Sequence, residues 1–326
     1  MDKQVAIGVD VGATWVRVAV ADPEANILAK KKEAIDTENE LGISRQIEEL
    51  TVELFAELGR KIPDLIGIGI ASAGPMNREA GHLVSPSNIP LELVPLAEPL
   101  EAKFDTKVEL INDGVSAVLA ESKYGAGKEY ENLVYITIST GIGGGVIVDG
   151  NLLIGKNGNA AEVGHFTIDK DEKLACGCGR RGHWEAYCSG SNIPGYVRWR
   201  LEELSSDEVS GPLAQHVEAD FESFRARDLF IYARNGDGLA LELVEEIGRL
   251  NAIGFAAVTE AYDPELITVG GGVALNNPEL VLEPIKKRVK NHTQNEVPEI
   301  LITPLEEENV LLGAIAMALS PPGETS

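Results

Sequence analysis

The chain has 326 residues, of which 44% are hydrophobic and 25% charged, a balance typical of a globular protein large enough for two domains. Its 28 basic and 52 acidic residues give a net charge of −24, which disfavours binding to nucleic-acid phosphates or anionic membranes. No run approaches the roughly 18–20 apolar residues of a membrane helix, and no basic, apolar leader precedes the first predicted strand, so we expect a cytoplasmic protein without nucleic-acid or membrane partners.

The first part of the chain predicts an antiparallel meander followed by alternating helices and strands. Short segments rich in β-forming residues predict three strands, at Val5–Asp10, Val16–Val20 and Ile27–Lys31. Apolar residues at helical spacing predict a helix over about Glu40–Gly59. The runs Leu65–Ile70 and Val108–Ile111 predict buried strands, as in a parallel sheet covered on both faces.

The second part of the chain repeats the order strand, turn, strand. Three strands are predicted, at Leu133–Ile138, Gly143–Val148 and Leu152–Ile154, and a fourth at Leu266–Val269. Helical spacing follows over Ile193–Leu204, Ser223–Arg234, Leu239–Tyr262 and Glu306–Leu319, whereas the polar, turn-rich residues 205–219 predict a surface excursion. The repetition favours a duplicated fold with a ligand cleft between the copies, although any α/β protein shows some alternation of this kind.

Two glycine-bearing turns stand at the starts of these two parts. The residues of interest are Asp10, Gly12 and Thr14 in the first turn and Thr140, Gly141 and Gly143 in the second. Successive backbone N–H groups in such turns bind anions, and Asp10 could orient Mg²⁺ through water. Each turn alone is equally well a glycine-rich hairpin, but the pair indicates a phosphate site. Neither a Walker A nor a Rossmann arrangement stands where those folds need it.

Asp113 follows a predicted buried strand and opens a helix predicted over Val115–Lys123. A carboxylate there can accept the proton of a hydroxyl that attacks a phosphoryl group, or it can simply cap the helix. Asn88 lies in a loop bounded by Pro86 and Pro90. That loop offers either a fixed amide for sugar hydroxyls or an ordinary turn residue.

The segment from Glu162 to Glu185 contains a candidate metal clip. His165, Cys176, Cys178 and His183 supply the four ligands that a closed structural zinc site requires. Both glutamates are then left for other contacts, and a polyhydroxylated ligand suits such acceptors. The alternative is a pair of free thiols with two ordinary histidines. Three cysteines in the whole chain exclude a disulfide framework and favour a reducing compartment.

This segment resembles the ROK family of sugar kinases and related repressors, whose pattern reads approximately ExGH followed by CxCGxxGCxE. His183 stands where the family has a third cysteine, so the expected Cys₃His site becomes Cys₂His₂ unless Cys188 is the fourth ligand. The two phosphate turns resemble those of the actin-like ATPase superfamily, to which ROK kinases belong. Gly270, Gly271 and Gly272 resemble its adenosine loop.

The resemblance implies an α/β, two-domain actin-like ATPase (ribonuclease H-like) fold with an interdomain cleft. Residues 1–112 with about 314–326 would form the small domain, and residues 113–313 the large domain with a zinc-binding segment at 162–188. The two phosphate turns and the adenosine loop would bind ATP with Mg²⁺, and the zinc would be structural. The hexose would be surrounded by Asn88, Asn112, Asp113, Glu162, His165 and Glu185.

The implied activity is ATP-dependent transfer of a phosphoryl group to the 6-hydroxyl of a hexose, with glucose as the first candidate and Asp113 as the base. The alternatives are an N-acylhexosamine or broad hexose kinase and a sugar-responsive ROK repressor. Such repressors carry a helix-turn-helix module ahead of the nucleotide motif, whereas nine residues precede Asp10. Because ROK kinases are commonly dimers or tetramers, we expect a homo-oligomer.

Overall fold

The computed structural model describes residues 4–86, 89–205 and 209–320, which form two compact units. Unit 1 combines Met1–Glu131, Gly145–Ala161 and Glu307–Ser326, and unit 2 combines Asn132–Gly144 and Glu162–Glu306. The predicted small domain (1–112 with 314–326) and large domain (113–313) stay a prediction.

The described residues up to 131 form eight strands and three α-helices. In chain order they are β1 (Val5–Val11), β2 (Trp15–Ala21), β3 (Ile27–Ala34), α1 (Gly42–Leu58), β4 (Leu65–Ser72), β5 (Met76–Asn77), β6 (His82–Val84), β7 (Leu93–Pro95), α2 (Ala97–Phe104), β8 (Val108–Asn112) and α3 (Asp113–Tyr124).

The described residues after 131 form five strands and eight α-helices. They are β9 (Leu133–Ile138), β10 (Ile142–Val148), β11 (Asn151–Leu152), α4 (Glu185–Cys188), α5 (Ile193–Glu203), α6 (Pro212–Asp220), α7 (Ala226–Arg234), α8 (Gly238–Tyr262), β12 (Leu266–Gly270), α9 (Gly272–Asn276), α10 (Pro278–Arg288), β13 (Glu299–Ile302) and α11 (Asn309–Leu319). The mixed α/β class predicted from the sequence is confirmed.

The sheets include the predicted antiparallel meander and parallel strands. One sheet has the order β3-β2-β1-β4-β8, in which β1, β2 and β3 form an antiparallel meander and β4 is parallel to both β1 and β8. A second sheet has the order β11-β10-β9-β12-β13, with β12 parallel to β9 and β13. Strands β5, β6 and β7 form a small third sheet.

Helices α1 and α11 bury apolar faces in unit 1. The buried side chains of α1 include Ile43, Ile47, Leu50 and Leu54, a spacing that keeps one helix face inward. Each such side chain contributes about 1.5–3 kcal/mol relative to an exposed one. Helix α11 packs so closely on β4 that a Cβ at Gly69 would clash with its backbone.

The segment 205–219, predicted to be a turn-rich surface excursion, is helical in its second half, which forms α6. Pro212 is the first residue of that helix, and the helix buries Leu213 and Val217 on one face. The carboxylate of Asp237 accepts a hydrogen bond from the Leu213 amide, 2.9 Å away. This short amphipathic helix could not be recognised from the sequence, because most residues of the segment are polar. Residues 206–208 of the same segment lie outside the described residues.

No helix in the described ranges is both long enough and apolar enough to cross a bilayer.

Candidate functional site

The first glycine-bearing turn connects β1 to β2 and is closed by the Gly12 amide, which donates to the Trp15 carbonyl at 2.9 Å. Asp10, at the end of β1, pairs with Arg17 of β2 directly across the hairpin. The Arg17 guanidinium donates to Asp10 Oδ2 through Nε at 2.7 Å and through Nη2 at 2.5 Å, and it also donates to the Glu307 carbonyl at 2.8 Å.

The electrostatics of Asp10 reflect two opposing effects. Burial is the larger effect and raises the pKa of its carboxyl group, whereas the Arg17 guanidinium lowers it. Sequence reasoning missed Arg17. The available signal was its position, since Arg17 stands opposite Asp10 when the two strands are paired around the turn.

Asn112 and Asp113 mark the junction between β8 and α3. The Asn112 Oδ1 atom accepts from the amides of Gly114 at 2.9 Å and Val115 at 3.4 Å, so Asn112 is the residue that caps α3. Asp113 Oδ1 accepts from the Gly114 amide at 2.8 Å. The alternative in which Asp113 is the helix cap therefore loses its main support. Asn88 lies outside the described residues.

The second glycine-bearing turn, between β9 and β10, carries Thr140 and Gly141, whereas Gly143 is the second residue of β10. The Ser139 amide donates to the Gly141 carbonyl at 2.9 Å and closes the turn. Gly270, Gly271 and Gly272 follow at the end of β12, where Gly271 has φ +85° and Gly272 begins α9. Because β9 and β12 are parallel neighbours, this turn and the three glycines emerge at the same edge of the sheet.

Four side chains of unit 2 form a compact cluster of metal-ligand atoms. One ligand atom from each of His165, Cys176, Cys178 and His183 lies within 4.8 Å of all the others. Cys176 Sγ is 3.7 Å from His165 Nδ1, and Cys178 Sγ is 3.3 Å from His183 Nδ1. Ligands of a tetrahedral zinc ion at ordinary bond lengths stand about 3.3–3.8 Å apart, so the donor set suits zinc and both of these distances fall in that range.

The charges around the cluster also suit a cation. Burial, the largest effect, together with the side chains of Cys178 and Glu185 raises the pKa of the Cys176 thiol to about 12. Without a cation this sulfur stays protonated, since it is desolvated beside other acidic groups. A bound divalent ion supplies the positive charge that the thiolate needs.

Cys188, the other candidate for the fourth ligand, lies elsewhere in unit 2. Its side chain is fully buried, and its Sγ is 3.7 Å from the Ile247 carbonyl oxygen in α8. Burial raises the pKa of this thiol too. The structure therefore brings His183, and not Cys188, to the other three side chains.

The cluster segment is fixed to α8 by Trp184. Its side chain is fully buried, and its Nε1 donates to Asn251 Oδ1 at 2.8 Å. The ring packs edge-on against Phe255, with the centroids 5.5 Å apart. Because Trp184 stands between His183 and Glu185 in the chain, its burial constrains both neighbours.

The two glutamates have different surroundings. Glu162 Oε2 is 3.9 Å from His165 Nε2, and burial raises the pKa of the Glu162 carboxyl group, with the nearby His165 opposing this effect. Glu185 begins α4, and its Oε2 accepts from the Ile142 amide at 2.9 Å. Its Oε1 lies 3.5 Å from Cys176 Sγ. The contact with Ile142 joins residues 43 apart in the chain, and sequence reasoning did not detect it.

The sequence is similar to known proteins of one family. The sequence model of the ROK family matches residues 6–320. A glucokinase from Pyrobaculum calidifontis is 36% identical over 318 residues, which cover 97% of this chain and 95% of that relative. A putative xylose repressor from a Caldicellulosiruptor species is 24% identical, over 96% of this chain and 78% of the repressor.

A solved structure shares the fold. A ROK family glucokinase from Streptomyces griseus, in complex with glucose and AMPPNP, superposes with a TM-score of 0.77 at 30% identity, covering 96% of this chain and 99% of that one.

Proposed function

The chain belongs to the ROK family, and we infer that it is an ATP-dependent sugar kinase that phosphorylates glucose. The observation that carries this inference is the 36% identity to a glucokinase over nearly the whole of both chains. The acceptor oxygen on the sugar is the 6-hydroxyl in this proposal, as the family resemblance implies.

Asp113 is the base in the proposed reaction. It stands at the carboxyl end of a parallel strand, where α/β proteins carry ligand chemistry, and the capping of α3 falls on Asn112 instead. Its carboxylate would accept the proton of the attacking hydroxyl as the new bond to phosphorus forms. Positioning and charge stabilisation would supply most of the remaining catalysis.

ATP is assigned to the three glycine-bearing segments. Gly12 and Thr14 of the first turn, with Thr140, Gly141 and Gly143 of the second, would bind phosphate oxygens, and Gly270, Gly271 and Gly272 would lie against the adenosine. This assignment is supported by the position of the second turn and of the three glycines after β12, which lie at the same edge of the sheet. Mg²⁺, when bound, neutralises charge on the phosphate oxygens. Asp10 would orient its water shell.

The hexose is assigned to Asn88, Asn112, Glu162, His165 and Glu185, together with Asp113. Carboxylates and amides suit sugar hydroxyls because they accept or donate in fixed directions. Zinc is assigned to His165, Cys176, Cys178 and His183, and four protein ligands leave no open position for a catalytic water. The zinc would therefore be structural, holding His165 and its neighbours in place.

Two alternatives from the sequence are weaker. The repressor relative is only 24% identical, and 78% of its length is covered, against 95% for the glucokinase relative. An N-acylhexosamine or broad hexose kinase would use the same proposed residues. In either kinase, we propose a cytoplasmic homo-oligomer, a dimer or tetramer, which light scattering on the purified protein would test.

An ADP-release assay tests the proposed function. Glucose, mannose, fructose, glucosamine and N-acetylmannosamine would be compared at equal concentrations with Mg²⁺ and ATP, and we expect glucose to give the highest kcat/KM. Reactions without sugar provide the control for ATP hydrolysis. A higher kcat/KM for N-acetylmannosamine would replace glucose as the substrate, and no release with any sugar would refute the kinase assignment.

A further inference from the structure

Residues 162–191, which contain the metal ligands and the residues just after α4, contact the second phosphate turn at several points within unit 2. The Gly190 amide donates to the Ser139 carbonyl at 2.7 Å, and the Ser191 amide donates to the Thr140 carbonyl at 3.1 Å. Gly164 lies so close to the Ile142 carbonyl that a Cβ at this glycine would clash with it. The turn therefore rests on the backbone of the segment that carries the metal ligands.

Glu185 makes the contact that reaches furthest into the turn. Its Oε2 accepts from the Ile142 amide at 2.9 Å, and a Cβ at Gly141 would lie 2.5 Å from the same oxygen. The other carboxylate oxygen faces Cys176 Sγ at 3.5 Å. One side chain therefore touches both the metal cluster and the backbone of the phosphate turn.

A hydrogen bond from a backbone amide to a carboxylate is stronger than a bond between neutral groups. Such a bond fixes the peptide plane between Gly141 and Ile142, and with it the directions of the neighbouring N–H groups. Binding an anion to a turn depends on those directions being set before the ligand arrives. The conformation of the turn should therefore depend on Glu185.

We propose that Glu185 is a positioning residue for the second phosphate turn, and that it sets nucleotide affinity through the Ile142 amide in addition to its assigned contact with sugar. This inference rests on the proposed function, because it takes ATP as the ligand of the turn. Glu162 provides the contrast, since it is also a carboxylate assigned to sugar but stands beside His165.

The test measures nucleotide binding in the absence of sugar. The zinc-loaded wild type, Glu185→Ala, Glu185→Gln and Glu162→Ala would be titrated calorimetrically with Mg²⁺ and a non-hydrolysable ATP analogue. We expect the Kd of Glu185→Ala to rise about tenfold, the loss of one charge-assisted hydrogen bond. Glu185→Gln should stay within about threefold of wild type, because its amide oxygen can still accept from Ile142. Glu162→Ala should match wild type.

Hydrogen exchange of the peptide covering residues 139–145, without nucleotide or sugar, gives a second readout. Exchange there should be faster in Glu185→Ala and unchanged in Glu162→Ala. Wild-type exchange and Kd in Glu185→Ala would overturn the inference, as would equal losses in Glu162→Ala. If the wild type binds no nucleotide while the exchange difference appears, the proposed function fails and the positioning role of Glu185 stands.

Discussion

The carboxylate of Asp10 is largely buried, since its side chain is only 15% exposed. The guanidinium of Arg17 compensates for the buried negative charge. A carboxyl group whose folded pKa lies above its unfolded value contributes stability below the unfolded pKa, here near 3.8, and loses that contribution as the pH rises through the folded pKa. Asp10 therefore lowers stability at neutral pH, and Arg17 limits the loss.

Replacing Arg17 with Met should destabilise the protein by about 3 kcal/mol at neutral pH, because a buried carboxylate would be left unpaired. The pKa of Asp10 would rise further, so the deficit relative to wild type should shrink as the pH falls toward 3.8. Urea unfolding at about pH 7.5 and about pH 5 measures the deficit. The double variant Asp10→Asn/Arg17→Met should recover more than half of it, and an equal deficit at both pH values would contradict this explanation.

Asp113→Asn should keep glucose binding and lose most turnover, since the amide preserves size but cannot accept the proton. Loss of a general base lowers kcat by about 10²–10⁴-fold. Steady-state kinetics and the Kd for glucose separate the two effects. Asp105→Asn, the same change at the exposed end of α2, serves as the matched control. A folded Asp113→Asn enzyme with kcat near wild type would remove Asp113 from the mechanism.

At the scale of single residues, the sequence was informative where partners are close in the chain. The two cysteines and two histidines fall in one short segment, so their spacing alone predicted the cluster that the structure assembles. The Glu185 contact with the Ile142 amide could not be predicted in this way. It depends on how α4 packs beside the turn after β9, and no local pattern carries that information.

At the scale of elements, we predict that His183, and not Cys188, is the fourth metal ligand. Purified wild type should hold one zinc per chain, and Cys188→Ser should hold it as well, because Cys188 is buried against α8. His183→Ala should lose most of the metal, since three ligands remain. Metal analysis of the three proteins decides the matter. Zinc retained in His183→Ala but lost in Cys188→Ser would reverse the assignment.

The helices that the sequence predicted best were those with long amphipathic patterns, such as α8, whose predicted span Leu239–Tyr262 differs from the observed helix by one residue. Helices α2 and α6 were missed, although α7, which also has nine residues, was predicted. Helix α2 has only Leu100 and Phe104 buried, and α6 is only nine residues long. Two or three apolar residues do not define a helical period, so tertiary packing decides whether such segments fold as helices.

At the scale of the whole molecule, the net charge of −24 should slow the approach of nucleotide. Raising the ionic strength from about 10 to about 150 mM shortens the screening length from about 30 to about 8 Å. The kcat/KM for MgATP should therefore rise several-fold, whereas the KM for glucose, an uncharged substrate, should stay constant. Initial rates at several salt concentrations measure both. A fall in kcat/KM for MgATP would show that local positive charge dominates the encounter.

Unit 1 contains both the first strands of the chain and its last helix, and this arrangement has a consequence for synthesis on the ribosome. Strands β1 and β4 emerge early, but α11, whose backbone lies against Gly69, is made more than 200 residues later. At about 5–20 residues per second, that delay is on the order of tens of seconds. Throughout this interval, the face of β1 and β4 that α11 covers in the folded protein therefore lacks that helix.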